Sequence, residues 1–208
     1  MEDVLEVYHR PYDPKRPMVA MDETSKQLVK EARVPLPPEP GRPERVDYEY
    51  RRNGVANIFM VFEPLAARRQ VKVTQRRTKI DWAYLMKDLV DIHYPEAERI
   101  VLVIDNLNTH AKASLYEAFR PQQAKRIADK LEIHYTPKHG SWLNVAECEL
   151  SILERQCLDR RIGDIEALAS EVAAWQQARE NEAKPVDWQF NVENARTKLR
   201  RLYPSFQR

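Results

Sequence analysis

The order of apolar segments predicts an α/β fold: a mixed five-stranded sheet (three antiparallel strands plus two parallel) flanked by helices, with a C-terminal helical extension. Three observations predict it. Strand-like segments open the chain, two later strands are each separated by a helical pattern, and the remainder is helical. Strands joined by tight turns form an antiparallel meander, whereas strands separated by a helix add in parallel through right-handed crossovers.

The first strand, residues 18–24 (MVAMDET), follows a lead-in over residues 1–16. A proline-dense insertion at about 30–50, centred on VPLPPEPGRP, is expected to run extended over the surface. GVANIFMVFEPL and RRQVKVTQRR supply the second and third strands, and Glu63 to Arg69 the hairpin connection. In IDWAYLMKDLVDIHY, Ile80, Tyr84, Leu85, Leu89 and Ile92 recur with a helical period, and Asp81 suits the positive end of the helix dipole. RIVLVIDN (99–106) is a continuous apolar run, as in a strand buried on both faces. A helical stretch over 113–130, broken near Pro121, precedes a short strand, LEIHYTP, and a helix over 143–158. Two more helices, 165–182 and 191–203, flank DWQF. The whole order is that of the ribonuclease H-like fold. It gives a main domain over 17–160 and an extension over 161–208 packed on the same domain, and fold alone does not give function.

Composition narrows the class. The chain has 208 residues, 43% of them apolar, enough for a buried core. No apolar run approaches the ~20 residues of a membrane span, and MEDVLEVYHR lacks a signal-peptide core. Cys148 and Cys157 lie in one helical pattern, which excludes a zinc ribbon and argues against a disulfide framework. The expected location is therefore cytoplasmic, with no membrane partner. The net charge of +2 is uninformative, but its distribution is not. Arg68, Arg69, Lys72, Arg76, Arg77 and Lys79 form a run without an acid, and Arg196, Lys198, Arg200 and Arg201 cluster near the C-terminus. Such clusters suit phosphate backbones, although a solvated charged face has the same composition.

Three acids stand at informative places. Asp22 lies near the end of the first strand, Asp105 at the end of the fourth, and Glu147 on the helix after the fifth. In a ribonuclease H-like sheet the first and fourth strands are neighbours, which sets Asp22 beside Asp105. Carboxylates without histidine or cysteine partners favour hard cations, Mg²⁺ or Mn²⁺, and two ions roughly 4 Å apart drive phosphoryl transfer. An aspartate ending a strand also serves as a turn former or helix cap. On the last helix Ala146, Leu150, Leu153 and Cys157 form the apolar stripe, and Glu147 and Glu149 border it on opposite sides. Periodicity does not choose between them.

VAMDETSKQL, VLVIDNLNTH and HYTPKHGSWLNVAECELSIL together resemble the catalytic blocks of bacterial insertion-sequence transposases of the mariner superfamily, which are DDE superfamily endonucleases. The similarity runs from about Pro17 to Pro204. It selects Glu147 as the third acid, because Leu143, Asn144, Val145, Ala146 and Glu147 fill the family's Leu-Asn-Pro-x-Glu pattern with Val in place of Pro. It also implies that His110 orients substrate or a metal-bound water, and that Asn106 hydrogen-bonds near the metals. Lys138, His139 and Trp142 fall on the loop before the catalytic helix, where a cation and a ring can meet a phosphate and an unstacked base. Helix capping by His110 and core packing by Trp142 are the structural alternatives.

The resemblance implies a catalytic domain that uses two Mg²⁺ or Mn²⁺ ions to hydrolyse a phosphodiester at transposon ends and to join the freed strand to target DNA, with TA as the family's usual target. The partners are DNA and a second copy in a homodimeric active complex, in a bacterial, nucleoid-associated setting. The family's N-terminal helix-turn-helix modules have no counterpart in these 208 residues, so end recognition by this stretch is expected to be weak. The alternatives are a ribonuclease H-like nuclease without strand transfer, and an inactive remnant that binds DNA or dimerises.

Overall fold

Five strands, β1 (Met18–Glu31), β2 (Tyr50–Glu63), β3 (Arg68–Thr74), β4 (Ile100–Ile104) and β5 (Leu131–Tyr135), form one sheet in the order β3-β2-β1-β4-β5. The structure is a computed structural model that describes residues 1–43, 45, 47–138 and 140–203. β1, β2 and β3 are antiparallel, and β4 and β5 add in parallel to β1. This is the mixed ribonuclease H-like sheet that the sequence predicts.

Strand alternation divides the core into two layers. Ala20, Ile58, Met60, Phe62, Val101 and Val103 point to one face. There they meet helices α1 (Glu2–Tyr8), α5 (Val145–Leu153), α6 (Ile165–Glu182) and α7 (Val192–Lys198). Val19, Met21, Phe59, Val61, Ile100, Leu102 and Ile104 point to the other, under α2 (Lys79–Asp88), α3 (Lys112–Ala118) and α4 (Pro121–Lys130). All five residues of β4 are buried, because the sheet is covered on both sides.

Local chemistry sets the helix ends. Asp81 does more than face the dipole: its carboxylate accepts the Thr78 N–H at 2.7 Å while Thr78 Oγ1 accepts the Asp81 N–H at 3.3 Å, a reciprocal cap. α4 opens on Pro121 at N1, where a missing N–H removes no helical bond, and this is the expected break. α2 and α5 both run on into a wider π-helical turn, Leu89–His93 and Glu154–Leu158.

Three features differ from the expected layout. The lead-in contains α1, whose Val4, Leu5, Val7 and Tyr8 are core residues. β1 and β2 run past their neighbours as a two-stranded ribbon, pairing as far as Glu31 with Tyr50. The polar side chains of that ribbon hide it from a hydrophobic pattern. Beyond it the insertion is not simply extended but folds back through the Leu36–Arg45 and Glu39–Arg42 bridges, with Val34 and Leu36 exposed. Arg161 holds the ribbon's end, pairing with Glu31 at 2.6 Å and donating to the Asp47 and Tyr48 carbonyls. In the extension, Leu168, Val172, Trp175 and Ala195 share the core of the main sheet. No helix among the described residues is long and apolar enough to cross a membrane.

Candidate active site

Parallel pairing aligns the two aspartates. Ala20 is opposite Val103, so Asp22 and Asp105, each two residues further on, emerge at the same edge of the sheet. Asp22 follows Ala20 onto the α5 face, whereas Glu23 follows Met21 onto the α2 face.

The third acid arrives on a helix whose start is fixed to β1. Asn144 caps α5 by accepting the Ala146 N–H at 3.2 Å, and its amide donates to the carbonyl of Met21 at 2.8 Å. The Tyr8 hydroxyl donates to the Leu143 carbonyl at 2.7 Å and accepts the Val145 N–H at 3.1 Å. α5 is thereby anchored next to Asp22, and Glu147 in its first turn faces Asp22 across an open cavity of about 490 Å³. Glu23, Thr24, Ser25, Leu150, Ser151 and Glu154 complete the lining.

The two glutamates that periodicity leaves equivalent are separated by the rest of the fold. Glu149 is 2% exposed and paired with Arg69 and Arg179, each at 3.1 Å. Glu147 lines the cavity.

Behind the aspartates, His110 is 1% exposed and stacked on Trp82. Its Nδ1 lies 2.5 Å from Asp105 Oδ1, and its Nε2 lies 3.2 Å from Glu23 Oε2. Burial alone would lower the His110 pKa, but its contacts with Asp105 and Glu23 outweigh that and hold it up at about 9. Burial raises the Asp22 carboxyl to about 7, the charges of Asp105, Glu23 and Glu147 push the same way, and the Glu23 N–H opposes them. Oxygen donors in this number fit a hard divalent cation, whose charge would relieve the repulsion around Asp22. The residues present therefore fit Mg²⁺ or Mn²⁺. Glu23, Asp105 and His110 also converge closely enough to share an ion.

The remaining expected residues separate. Arg69 is withdrawn from the surface: it is 1% exposed, paired with Glu149 and stacked over Phe62, so the expectation that it contacts a phosphate is corrected. Lys72 is held by Asp88 and Lys79 by Glu117. Arg68 lies opposite Glu63, while Arg76 and Arg77 are exposed and make no ion pair among the described residues. The residue just before them is tied to the cavity wall by Asn57, which accepts from Ser25 Oγ at 2.9 Å and donates to the Gln75 carbonyl at 3.3 Å. Asn144 is a structural cap buried away from solvent. Asn106 and Lys138 are exposed, and Trp142 is 41% exposed with its ring edge-on to Phe190. His139 lies outside the described residues. Of the C-terminal cations, Arg196 is bound to Glu2 of α1.

The residue missed by the sequence pattern is Glu23. Its only sequence signal is adjacency to Asp22, and its partner His110 is brought to it by the β1–β4 pairing.

The sheet is ribonuclease H-like, with Asp22 and Asp105 just past the end of the β1–β4 parallel pairing. The sequence matches the DDE superfamily endonuclease family over residues 17–169, and the chain belongs to that family. No curated protein matches it. Among solved structures it is similar to the Mos1 mariner paired-end complex with Mn, at TM-score 0.56 and 17% identity over 85% of this chain and 52% of that one. The Mos1 paired-end complex with Mg gives TM-score 0.56 and 16% identity over 88% and 55%. The Mos1 strand transfer complex gives TM-score 0.56 and 15% identity over 88% and 53%. These likenesses show the fold, and the chain spans about half the length of the structures it matches.

Proposed function

We propose that this chain is the catalytic domain of a DNA transposase, which hydrolyses a phosphodiester at transposon ends and transfers the freed strand into target DNA. The observation that carries the reading is the alignment of Asp22 and Asp105 on adjacent parallel strands, with Glu147 facing Asp22 across one cavity. These three residues would hold two Mg²⁺ or Mn²⁺ ions. When bound, such ions lower the pKa of an attacking hydroxyl and neutralise charge on the leaving oxygen. The protein's part is placement. Asn144 and Tyr8 fix the helix that carries Glu147, and β1 and β4 fix the aspartates. Arg76 and Arg77 neutralise backbone phosphates beside the cavity, and Lys138 and Trp142 border the DNA on the α5 side. The solved relatives are paired-end and strand transfer complexes, in support of DNA as partner, and a homodimer is the active assembly in this reading.

The test combines a supercoiled plasmid, a labelled duplex with a 3′-hydroxyl end, and Mn²⁺. Metal-dependent nicking together with joined product is expected, and both disappear in Asp105→Ala. Nicking without joining would make the chain a nuclease. DNA binding with no reaction would make it an inactive remnant, and undiminished nicking by Asp105→Ala would refute the site.

A further inference from the structure

We propose that Glu23 and His110 are positioning residues, a carboxylate–imidazole relay that holds Asp105 in the orientation that binds metal. The inference rests on the reading of Asp105 as a metal ligand.

The geometry is that of a built device. A buried histidine satisfied for stability alone needs only one partner per nitrogen, and backbone carbonyls serve. Here both ring nitrogens face carboxylates instead. The ring plane is set by Trp82, with centroids 6.1 Å apart and an interplanar angle of 29°. The backbone of His110 is held on both sides: its N–H donates to the Leu107 carbonyl at 3.0 Å, and its carbonyl accepts from the Tyr135 hydroxyl at 2.9 Å. The imidazole is thus fixed before it reaches Asp105. Asp105 Oδ1 is engaged by the ring, and Oδ2 has no hydrogen-bond partner among the described residues, which leaves one oxygen for a cation.

Glu23 is the far end of the relay. Its side chain is 4% exposed, and Oε2 is buried without an aligned hydrogen bond. No lysine or arginine pairs with it among the described residues, so His110 is the one basic group beside it. Adjacent residues of β1 therefore act on the metal site by different routes, Asp22 as a direct ligand and Glu23 through the imidazole to the aspartate of β4. Partners that orient a metal ligand typically change metal affinity by about 10–100-fold when removed.

The experiment is a double-mutant cycle read by Mn²⁺ binding to the full chain without DNA, followed by loss of the free-ion paramagnetic resonance signal. Circular dichroism confirms folding of each variant. Glu23→Gln and His110→Gln should each weaken Mn²⁺ binding about tenfold. Because the glutamine at 110 no longer reaches Asp105, the double variant should be no weaker than His110→Gln alone. Multiplicative losses in the double variant, about a hundredfold, would show Glu23 acting directly on the ion and overturn the relay. Wild-type affinity in both single variants would overturn it as well. Asp105→Ala is the separate control: wild-type affinity there refutes the metal-ligand reading itself. If His110→Gln fails to fold, His110→Asn, which keeps a donor at the Nδ1 position and loses the Glu23 contact, should match Glu23→Gln. Binding as weak as in Asp105→Ala would refute the relay.

Discussion

Removing Glu149 should destabilise the chain, whereas removing Glu147 should disable it. Glu149→Ala strands two cations, Arg69 at 1% and Arg179 at 15% side-chain exposure. Breaking a buried pair by deleting one partner costs about 3–5 kcal/mol. The lower end applies here. Arg69 keeps its contact with the Phe62 ring and a hydrogen bond to the Ala67 carbonyl, and Arg179 keeps Glu182. A loss of about 3 kcal/mol lowers Tm by roughly 6–12 °C in a chain of this size. Urea denaturation and thermal unfolding of the metal-free protein measure it. Glu147→Gln, at the cavity wall, should stay within about 0.5 kcal/mol of the parent while losing metal-dependent nicking. Arg69→Met combined with Glu149→Leu should recover the share of the lost stability that Arg69 causes, since that penalty comes from orphaned charge, while Arg179 is left to Glu182. A Glu149→Ala variant less than about 1 kcal/mol below the parent would refute the reasoning, as would nicking that survives Glu147→Gln.

In the metal-free protein the Asp22 carboxyl is raised from 3.8 to about 7, so folding favours its protonated form. Its contribution is fully present below pH 3.8 and is lost as pH rises through 7. Asp22→Asn should flatten the fall in Tm across that window, and Mn²⁺ should stabilise the parent more at pH 8 than at pH 5.5; an unchanged profile would count against the buried carboxyl. Tyr8→Phe orphans the buried Val145 N–H and should cost about 1–3 kcal/mol by urea denaturation. Asn144 is extended (φ −83°, ψ 104°), a conformation that proline tolerates in the next residue. Val145→Pro should therefore be costly alone and nearly neutral in the Tyr8→Phe background; equal costs in both would disprove the link. Arg76→Ala and Arg77→Ala should each reduce the slope of log affinity against log salt by about 0.9 in DNA binding, while Arg69→Met, at a buried position, leaves the slope unchanged.

The sheet was legible because its strands carry their burial in their own residues. IVLVI is apolar throughout since both faces of β4 are covered, and Pro121 marks the start of α4 by its missing N–H. The ribbon was not, because from Thr24 to Glu31 the strand pairs through backbone with mostly polar, solvent-facing side chains and only Leu28 buried. α1 carried a signal in Val4, Leu5 and Tyr8 at helical spacing, too short to stand out from a lead-in. The aspartates followed from strand order. Glu147 and Glu149 did not separate, because their difference lies in Arg69 and Arg179, which come from β3 and α6. Charge density likewise read Arg69 as a surface cation, and only the fold shows its carboxylate partner.

Tyr8 widens the set of residues that build the site. The family match starts at residue 17, yet the hydroxyl that moors α5 belongs to residue 8. A fragment trimmed to the family boundary would retain every acid and lose the tether that sets the height of Glu147 above the sheet. The working perimeter of the site is therefore one helix wider than the stretch that sequence similarity delimits.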